Sequence, residues 1–587
     1  MSSPAAPKKH PPRDPFREGC ETVVFVVALV LMLKLFAVEA FVIPTGSMAE
    51  TLYGYQKGID CPECGHHYPV NCSNEVSPWN GQPMVVTRAT CPNCRHQVKF
   101  GATNPAPGYT SGDRVLVHKG MYHWDGGPTR GDVVVFKFPV DPQVNQEAQN
   151  YIKRLWGLGG ETIAIWRGDL YVSKSVAYPA EERDAAGGFK YPRPDDPRRA
   201  WEGTNPNGHS KVRPQYLGLG NDFTYHSPPQ ADPALTAFEA SRKAGFPAGG
   251  PFEPLRKTDS QAMAMRRLVY DADHPSPKLA KAGVPARWQP TAGWTAAGTG
   301  FSHAGGEVSF VRYSHRVPAA GSWEQPGDEC PPSPITNFLG YNAGTEATVS
   351  GFEQPPRDRV GNFIVGDLML EATADVADTA ATVVLEVSRG QHRFRAAFTG
   401  GNVTISRAGP GGKELATRPS GFTTGKHRLR FANFDSRLRV WVDGRAVDFG
   451  AEADYSPTDA EAADDTLAAL AGAMLAAGAV APDRPTDIDM RGFTAHNDLA
   501  APASVGAVGG VGVSELKVWQ DTFFTPSATP DQVDTFYVQP GHYLCLGDNS
   551  GQSSDGRMWG LVPERLMLGK ACFVFFPVLG GRLGFIR

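Results

Sequence analysis

The sequence has little net charge, little cysteine and few long apolar runs, and each shortage removes a class of function. Its 57 lysines and arginines stand against 61 acidic residues, a formal net charge of −4 that gives no nucleic-acid signature. Nine cysteines in 587 residues do not make a disulfide scaffold. Four of them fall in two tight pairs. The other five, Cys20, Cys72, Cys330, Cys545 and Cys572, are scattered and read as buried thiols. After residue 43 no stretch is long enough to cross a bilayer. The β-rich text ahead of residue 176 also lacks a His–Asp arrangement suited to a Ser-His-Asp triad, because His118 and His123 read as ordinary polar residues.

What is present points to a globular, mainly β chain of two to four domains. Hydrophobic residues make up 41%, while 65 glycines and 50 prolines predict many turns and short strands. One segment stands apart: VVFVVALVLMLKLFAVEAFVI, Val23 to Ile43, has about the 20 residues a transmembrane helix needs. Lys34 and Glu39 lie in its C-terminal half, where a lysine can snorkel to the headgroups. No small-x-small cleavage site fits better than an uncleaved anchor. Lys8, Lys9, Arg13 and Arg17 precede the span, which predicts a cytoplasmic N-terminus, lipid contact over 21–43, and everything later outside an inner membrane.

The text divides further. Residues 1–20 are a Pro- and Lys-rich tail, 21–43 the anchor, and 44–176 a β-rich stretch interrupted by the paired cysteines at 59–103. Residues 177–261 are polar, Pro-rich and aperiodic, which predicts a linker. From 262 to 526 apolar and polar residues alternate over successive runs, the pattern of an antiparallel sandwich, with an Ala-rich loop helix predicted at 457–482. Runs like those of 111–176 resume at 536 and continue to 587, so one β domain is split by another.

Ser47 follows the apolar span in an extended Pro-Thr-Gly-Ser-Met run. A serine hydroxyl needs a base before it attacks. A lysine serves if burial disfavours its charge, and Lys153 stands among Ile152, Leu155 and Trp156, an unusual place for a charge in a strand.

GSMAETL, GDRVLVHK, RGDVVVFKFP, YIKRLWGLGGETI and LGDNSGQSSDGRMWGLVP follow one another in the order and character of the boxes of the type I signal peptidase family, which this chain resembles over roughly 20–56, 108–176 and 536–580. The resemblance implies a β catalytic domain, Ser47 as nucleophile and Lys153 as general base. It implies Thr45 as an oxyanion donor beside the Ser47 N–H, Ser553 as the residue orienting the lysine, and Arg154, Asp548, Asp555 and Arg557 as structural support. It also implies signal-peptide-bearing precursors as partners, extended at the membrane surface with small side chains in shallow apolar pockets, and no cofactor for catalysis. Two positions depart from the family: Glu50 stands where proline is usual and is expected to put a negative charge at the cleft mouth, and Gly556 stands where serine is usual.

CPECGHH and CPNCRH give C-x2-C twice, so Cys61, Cys64, Cys91 and Cys94 resemble a zinc ribbon with a closed, structural ion; disulfides are the alternative. His66, His67 and His96 are then bystanders. Residues 262–526 resemble a laminin G-like or concanavalin-like jelly roll, which names no ligand. Two alternatives stand beside a general signal peptidase: a processing protease for a narrow class of surface proteins, and an inactive sugar- or protein-binding relative.

Overall fold

Short β-branched and aromatic runs bounded by turns become strands, and the described residues are mainly β. The computed structural model describes residues 15–32, 34, 37–78, 81–120, 122, 126–139, 149–176, 233–318, 323, 330–348, 350–354, 361, 363–390, 392–408, 412–457, 499–526, 533–538, 540–577 and 581–587.

The first sheet is antiparallel and interleaves both ends of the chain. Its order is Val38–Val42, Arg114–His118, Met567–Phe576, Val133–Lys137, Asn150–Gly157, His542–Leu546 and Val562–Pro563. A four-stranded sheet lies beside it, ordered Glu253–Pro254, Asp169–Ser173, Thr162–Trp166 and Asp534–Tyr537. The Thr162–Trp166 and Asp169–Ser173 hairpin turns through Arg167 (φ 51°) and Gly168 (φ 90°), the two positive φ values that a tight hairpin of matching twist requires. Trp156, Ile163, Ile165, Leu544 and Leu546 bury together in one core, and Ile43, Met48, Leu52, Val115 and Val135 in another under the Ser47 turn.

Between these halves two larger sheets, of eight and seven strands, face each other across a core that includes Leu385, Phe394, Phe398, Leu429, Phe431, Val505 and Val518. Strands such as His392–Thr399 alternate buried and half-buried positions along their length, as a sandwich strand should. The strand Gly344–Thr348 leaves this sandwich and pairs with Met84–Thr90 of the cysteine-bearing region, so the two insertions share a sheet.

Three expectations need correction. Among the described residues no helix is long and apolar enough to cross a membrane. The N-terminal helix, Pro15–Met32, ends inside the expected span, and Val38–Val42 is a strand paired with Arg114–His118. The period-2 text VEAFV suits an edge strand, where Glu39 meets Lys119 at 2.5 Å. The expected linker is partly structured: its residues 177–232 lie outside the described set, but Pro233–Lys243 is a helix and Glu253–Pro254 joins a sheet. Of the expected Ala-rich loop helix at 457–482, residues 458–482 also lie outside the described residues. Of the scattered cysteines, Cys20 is exposed on the N-terminal helix and Cys572 is half-buried, whereas Cys72, Cys330 and Cys545 are buried.

The two catalytic-type segments are joined by a fully buried ion pair. Arg154 Nε and Nη2 donate to Asp548 at 2.9 and 2.7 Å, and Arg154 Nη1 donates to the Gly131 and Arg587 carbonyls. Removing one partner of such a pair strands a charge away from water. R154M is therefore expected to destabilise this sheet by about 3–5 kcal/mol, while R154M/D548L recovers most of the loss; urea denaturation followed by tryptophan fluorescence checks both.

Candidate active site

Lys153 lies mid-way along Asn150–Gly157, opposite Val134 on the neighbouring strand. Ser47 lies in the tight turn after Pro44, where Ala49 N donates to the Gly46 carbonyl and Leu52 N to the Met48 carbonyl. Although 106 residues separate them, Lys153 Nζ and Ser47 Oγ are 2.7 Å apart, with exposures of only 3% and 9%. Nζ also donates to the Ile152 carbonyl at 2.9 Å. Burial pulls the Lys153 amine down from its ordinary range to about 8. The carboxylates of Asp555 and Asp548 oppose that shift, and Arg557 reinforces it.

Each of those carboxylates is neutralised by a guanidinium. Asp548 pairs with Arg154 as described. Asp555 accepts from Arg557 Nε at 2.9 Å and Nη2 at 2.8 Å, and from the Gly547 backbone N–H at 2.9 Å. Burial would raise the Asp555 carboxyl, but Arg557 and these donors hold it below its ordinary value. Arg557 is itself fixed by the Thr525 carbonyl and by Ser550, at 2.8 and 2.6 Å.

Other expected residues stand differently. Ser553 Oγ is buried without a well-formed hydrogen bond, so it does not hold Lys153 here; it lies close enough to Asp555 to help keep that carboxyl low. Thr45 is exposed on the cleft rim. Glu50 does not line the cleft: it is half-buried within the fields of Arg267, Arg582 and Arg266, and burial raises its carboxyl against them. At Gly556 a Cβ would lie 2.7 Å from Leu544 Cδ1 and 3.0 Å from the Cys545 carbonyl, so the usual serine has no room.

Three residues that the sequence reading did not single out hold the Ser47 turn. Asn549 donates its backbone N–H to the Ser47 carbonyl at 3.0 Å and its side-chain amide to the Gly46 carbonyl at 2.9 Å. Asn342, from the inserted sandwich, exchanges amide bonds with Asn549 at 2.6 and 2.8 Å. Arg267, also from the insertion, donates to the Ala49 and Asp548 carbonyls at 3.0 and 3.2 Å. Asn549 adjoins Asp548 within a quoted box and was findable there; Asn342 and Arg267 lie in text with no chemical signature.

The Ser47–Lys153 pair opens on a cleft of about 340 Å³. The strand Asn150–Gly157 forms one side, and the cysteine-bearing region (Asn71, Asn74) and the sandwich insertion (Tyr341, Asn342, Glu346) form the other. Amides and hydroxyls make up most of the lining side chains, but the exposed lining is about evenly polar and apolar. The ladder with His542–Leu546 ends at Arg154, which leaves the edge of 150–153 facing the cleft.

A family model described as "Signal peptidase, peptidase S26" matches residues 90–214 and 439–576, less than half of the chain; the match includes Lys153 and Asp555 and leaves Ser47 outside it. The chain is 32% identical over 99 residues to a signal peptidase I of Haemophilus influenzae, which covers 16% of this chain and 24% of that protein. It is 36% identical over 59 residues to a signal peptidase I of Buchnera aphidicola, 10% of this chain and 18% of that protein. The chain thus spans a quarter or less of these relatives' lengths. The matches are similarities to signal peptidases at low identity and over parts of the chain. Among solved structures, a carbohydrate-binding module from Bacillus subtilis aligns over 40% of this chain and 93% of its own, at 10% identity and a TM-score of 0.19.

The charge balance around Lys153 makes a spectroscopic prediction. With lysines labelled at ¹³Cε, one resonance titrates near about 8. D555N removes the largest opposing negative charge and leaves Arg557 unpaired, so the midpoint moves further down; an upward or absent shift contradicts this account of the site.

Proposed function

We propose that this chain is a membrane-anchored serine endopeptidase that cleaves signal peptides from exported precursor proteins, with Ser47 as nucleophile and Lys153 as general base. The observation that carries the proposal is the 2.7 Å contact between two buried side chains, one of them an amine pulled down to about 8.

The chemistry follows from that contact. The neutral Lys153 amine accepts the Ser47 proton as Oγ attacks the scissile carbonyl. The Ser47 N–H and the Thr45 hydroxyl at the rim serve the oxyanion, donors whose worth lies in the transition state. Lys153, now an ammonium, returns its proton to the leaving amine. An acyl-enzyme remains, and a water deprotonated by the same lysine releases the signal peptide. The substrate enters extended, adding its backbone to the edge of 150–153.

The N-terminal helix supports the anchoring part of the reading. None of its 18 residues is buried, and its second half is continuously apolar, with Phe25 and Met32 at least 60% exposed. Such a surface seeks a bilayer or another apolar partner. Asn150–Gly157 and the Ser47 turn then face precursors emerging at that surface.

The test is cleavage of a peptide carrying a small-x-small site by the full chain in detergent. S47A abolishes acylation, and K153M lowers kcat by about 10²–10⁴-fold. In the wild type kcat/KM rises with pH through an apparent pKa near about 8, because below it the amine is protonated and cannot accept the serine's proton. Wild-type turnover by K153M would sink the proposal.

A further inference from the structure

Nothing in the proposed peptidase chemistry calls on the cysteine pairs. Cys61 and Cys64 stand between the paired strands Gln56–Asp60 and His67–Asn71, and Cys91 and Cys94 between Met84–Thr90 and Gln97–Lys99. Both turns have the same backbone. Cys61 N donates to the His66 carbonyl and Gly65 N to the Cys61 carbonyl; Cys91 N donates to the His96 carbonyl and Arg95 N to the Cys91 carbonyl. The residue after each second cysteine is left-handed, Gly65 at φ 68° and Arg95 at φ 65°. Holding an arginine there costs free energy, and the Arg95 guanidinium lies 3.7 Å over the Phe338 ring of the insertion, which offsets part of it.

The four sulfurs converge. Cys61 Sγ and Cys94 Sγ are 3.5 Å apart, Cys64 Sγ and Cys91 Sγ 3.7 Å, and all four lie within 4.8 Å of one another. A tetrahedron with Zn–S bonds of about 2.3 Å has edges of about 3.8 Å. All four cysteines are free and buried. Four unmodified thiols crossing between two hairpins in this way match a closed metal site better than two disulfides, whose partners would sit within one bond length. His66, Asp271 and His274 also gather nearby, but Lys517 Nζ is 2.6 Å from Asp271 and occupies that carboxylate.

The cysteine turns are latched to the sandwich and, through it, to the nucleophile. Trp323 Nε1 donates to the Cys94 carbonyl at 2.9 Å; the Asn93 amide donates to the His274 carbonyl at 2.8 Å and accepts from Asp271 N at 2.8 Å. Next to Cys91, Thr90 N donates to the Ala343 carbonyl at 3.3 Å. Ala343 adjoins Asn342, which holds Asn549, which holds the carbonyls of Gly46 and Ser47.

We propose that Cys61, Cys64, Cys91 and Cys94 bind one zinc ion, and that this ion positions the Ser47 turn through Thr90, Ala343, Asn342 and Asn549 without touching substrate. The zinc site stands alone on its geometry; the positioning half rests on Ser47 and Lys153 being the dyad. The peptidase is therefore zinc-dependent, although its chemistry uses no metal.

Metal analysis of the purified full chain is expected to give one zinc per chain, with the four thiols reactive towards a thiol reagent only after the metal is removed. C94S loses the zinc. If C94S fails to fold, C94H, which retains a four-ligand Cys₃His set, regains one zinc. Iron in place of zinc, no metal, or the four cysteines found as two disulfides overturns the site. For the positioning half, 1,10-phenanthroline is expected to lower kcat for the small-x-small peptide by about 10–100-fold with a smaller change in KM, and added zinc restores it. N342A reproduces the kcat loss with zinc content unchanged. Chelation that strips the zinc and leaves kcat intact overturns the coupling. A chain that holds zinc but cleaves nothing even when zinc-loaded overturns the dyad reading and not the site.

Discussion

A lysine amine gives up its proton near neutral pH only if something makes that proton unwelcome, and at Lys153 that is desolvation. Lys153 is buried in a sheet strand with two carboxylates near enough to restore its charge. Left bare, Asp548 and Asp555 would push the amine back toward its ordinary range. Each is instead locked to a guanidinium, Arg154 or Arg557, so that the field reaching Nζ is that of ion pairs rather than of anions. The arginines thus act on the Lys153 amine by cancelling its neighbours. This gives a physical reason for buried ion pairs that cost desolvation and contribute little net stability against an apolar core.

The insertions are not appendages on that arrangement. Arg267 bonds carbonyls of the Ser47 and Asp548 loops, and Asn342 orients the amide that holds Gly46. At Gly46 a Cβ would lie 2.3 Å from the Tyr341 ring, and at Gly547 one would lie 2.5 Å from the Ser47 carbonyl. The Ser47 turn is therefore closed from below by the resumed β segment and from the side by the sandwich. Fixed donors on successive carbonyls restrain a turn that would otherwise be free to move Oγ by the fraction of an ångström that matters.

How much of this could be read from the chain depended on whether the signal was local. Ser47, Lys153, Asp548, Asp555 and Arg557 lie in contiguous boxes, so their types and order were visible, and the alternation of 262–526 announced strands. Asn342 and Arg267 act only because the sheet topology returns them to the Ser47 turn, and no local pattern encodes that return. Glu50 was misplaced for the same reason: the arginines around it come from positions 266, 267 and 582. The apolar run to Ile43 reads as one helix by hydropathy. Its last residues alternate as VEAFV and find a sheet edge, so pairing overrides the average.

That strand also limits how far Ser47 can lie from the N-terminal helix. Val38–Val42 sits at the edge of the sheet that holds Lys153, and Ser47 follows five residues later. An extended chain gains at most about 3.6 Å per residue, so Ser47 stays within about 20 Å of the strand's end, and the strand begins six residues after Met32 of the apolar helix. If that helix enters a bilayer, the sheet is tethered at its edge through only five intervening residues, and the cleft stays within a thin layer next to the lipid. Restricting the site to this layer raises its effective concentration toward segments emerging from the same membrane. It also removes most soluble peptides from reach, a selectivity that the mixed polar and apolar lining of the cleft by itself does not provide.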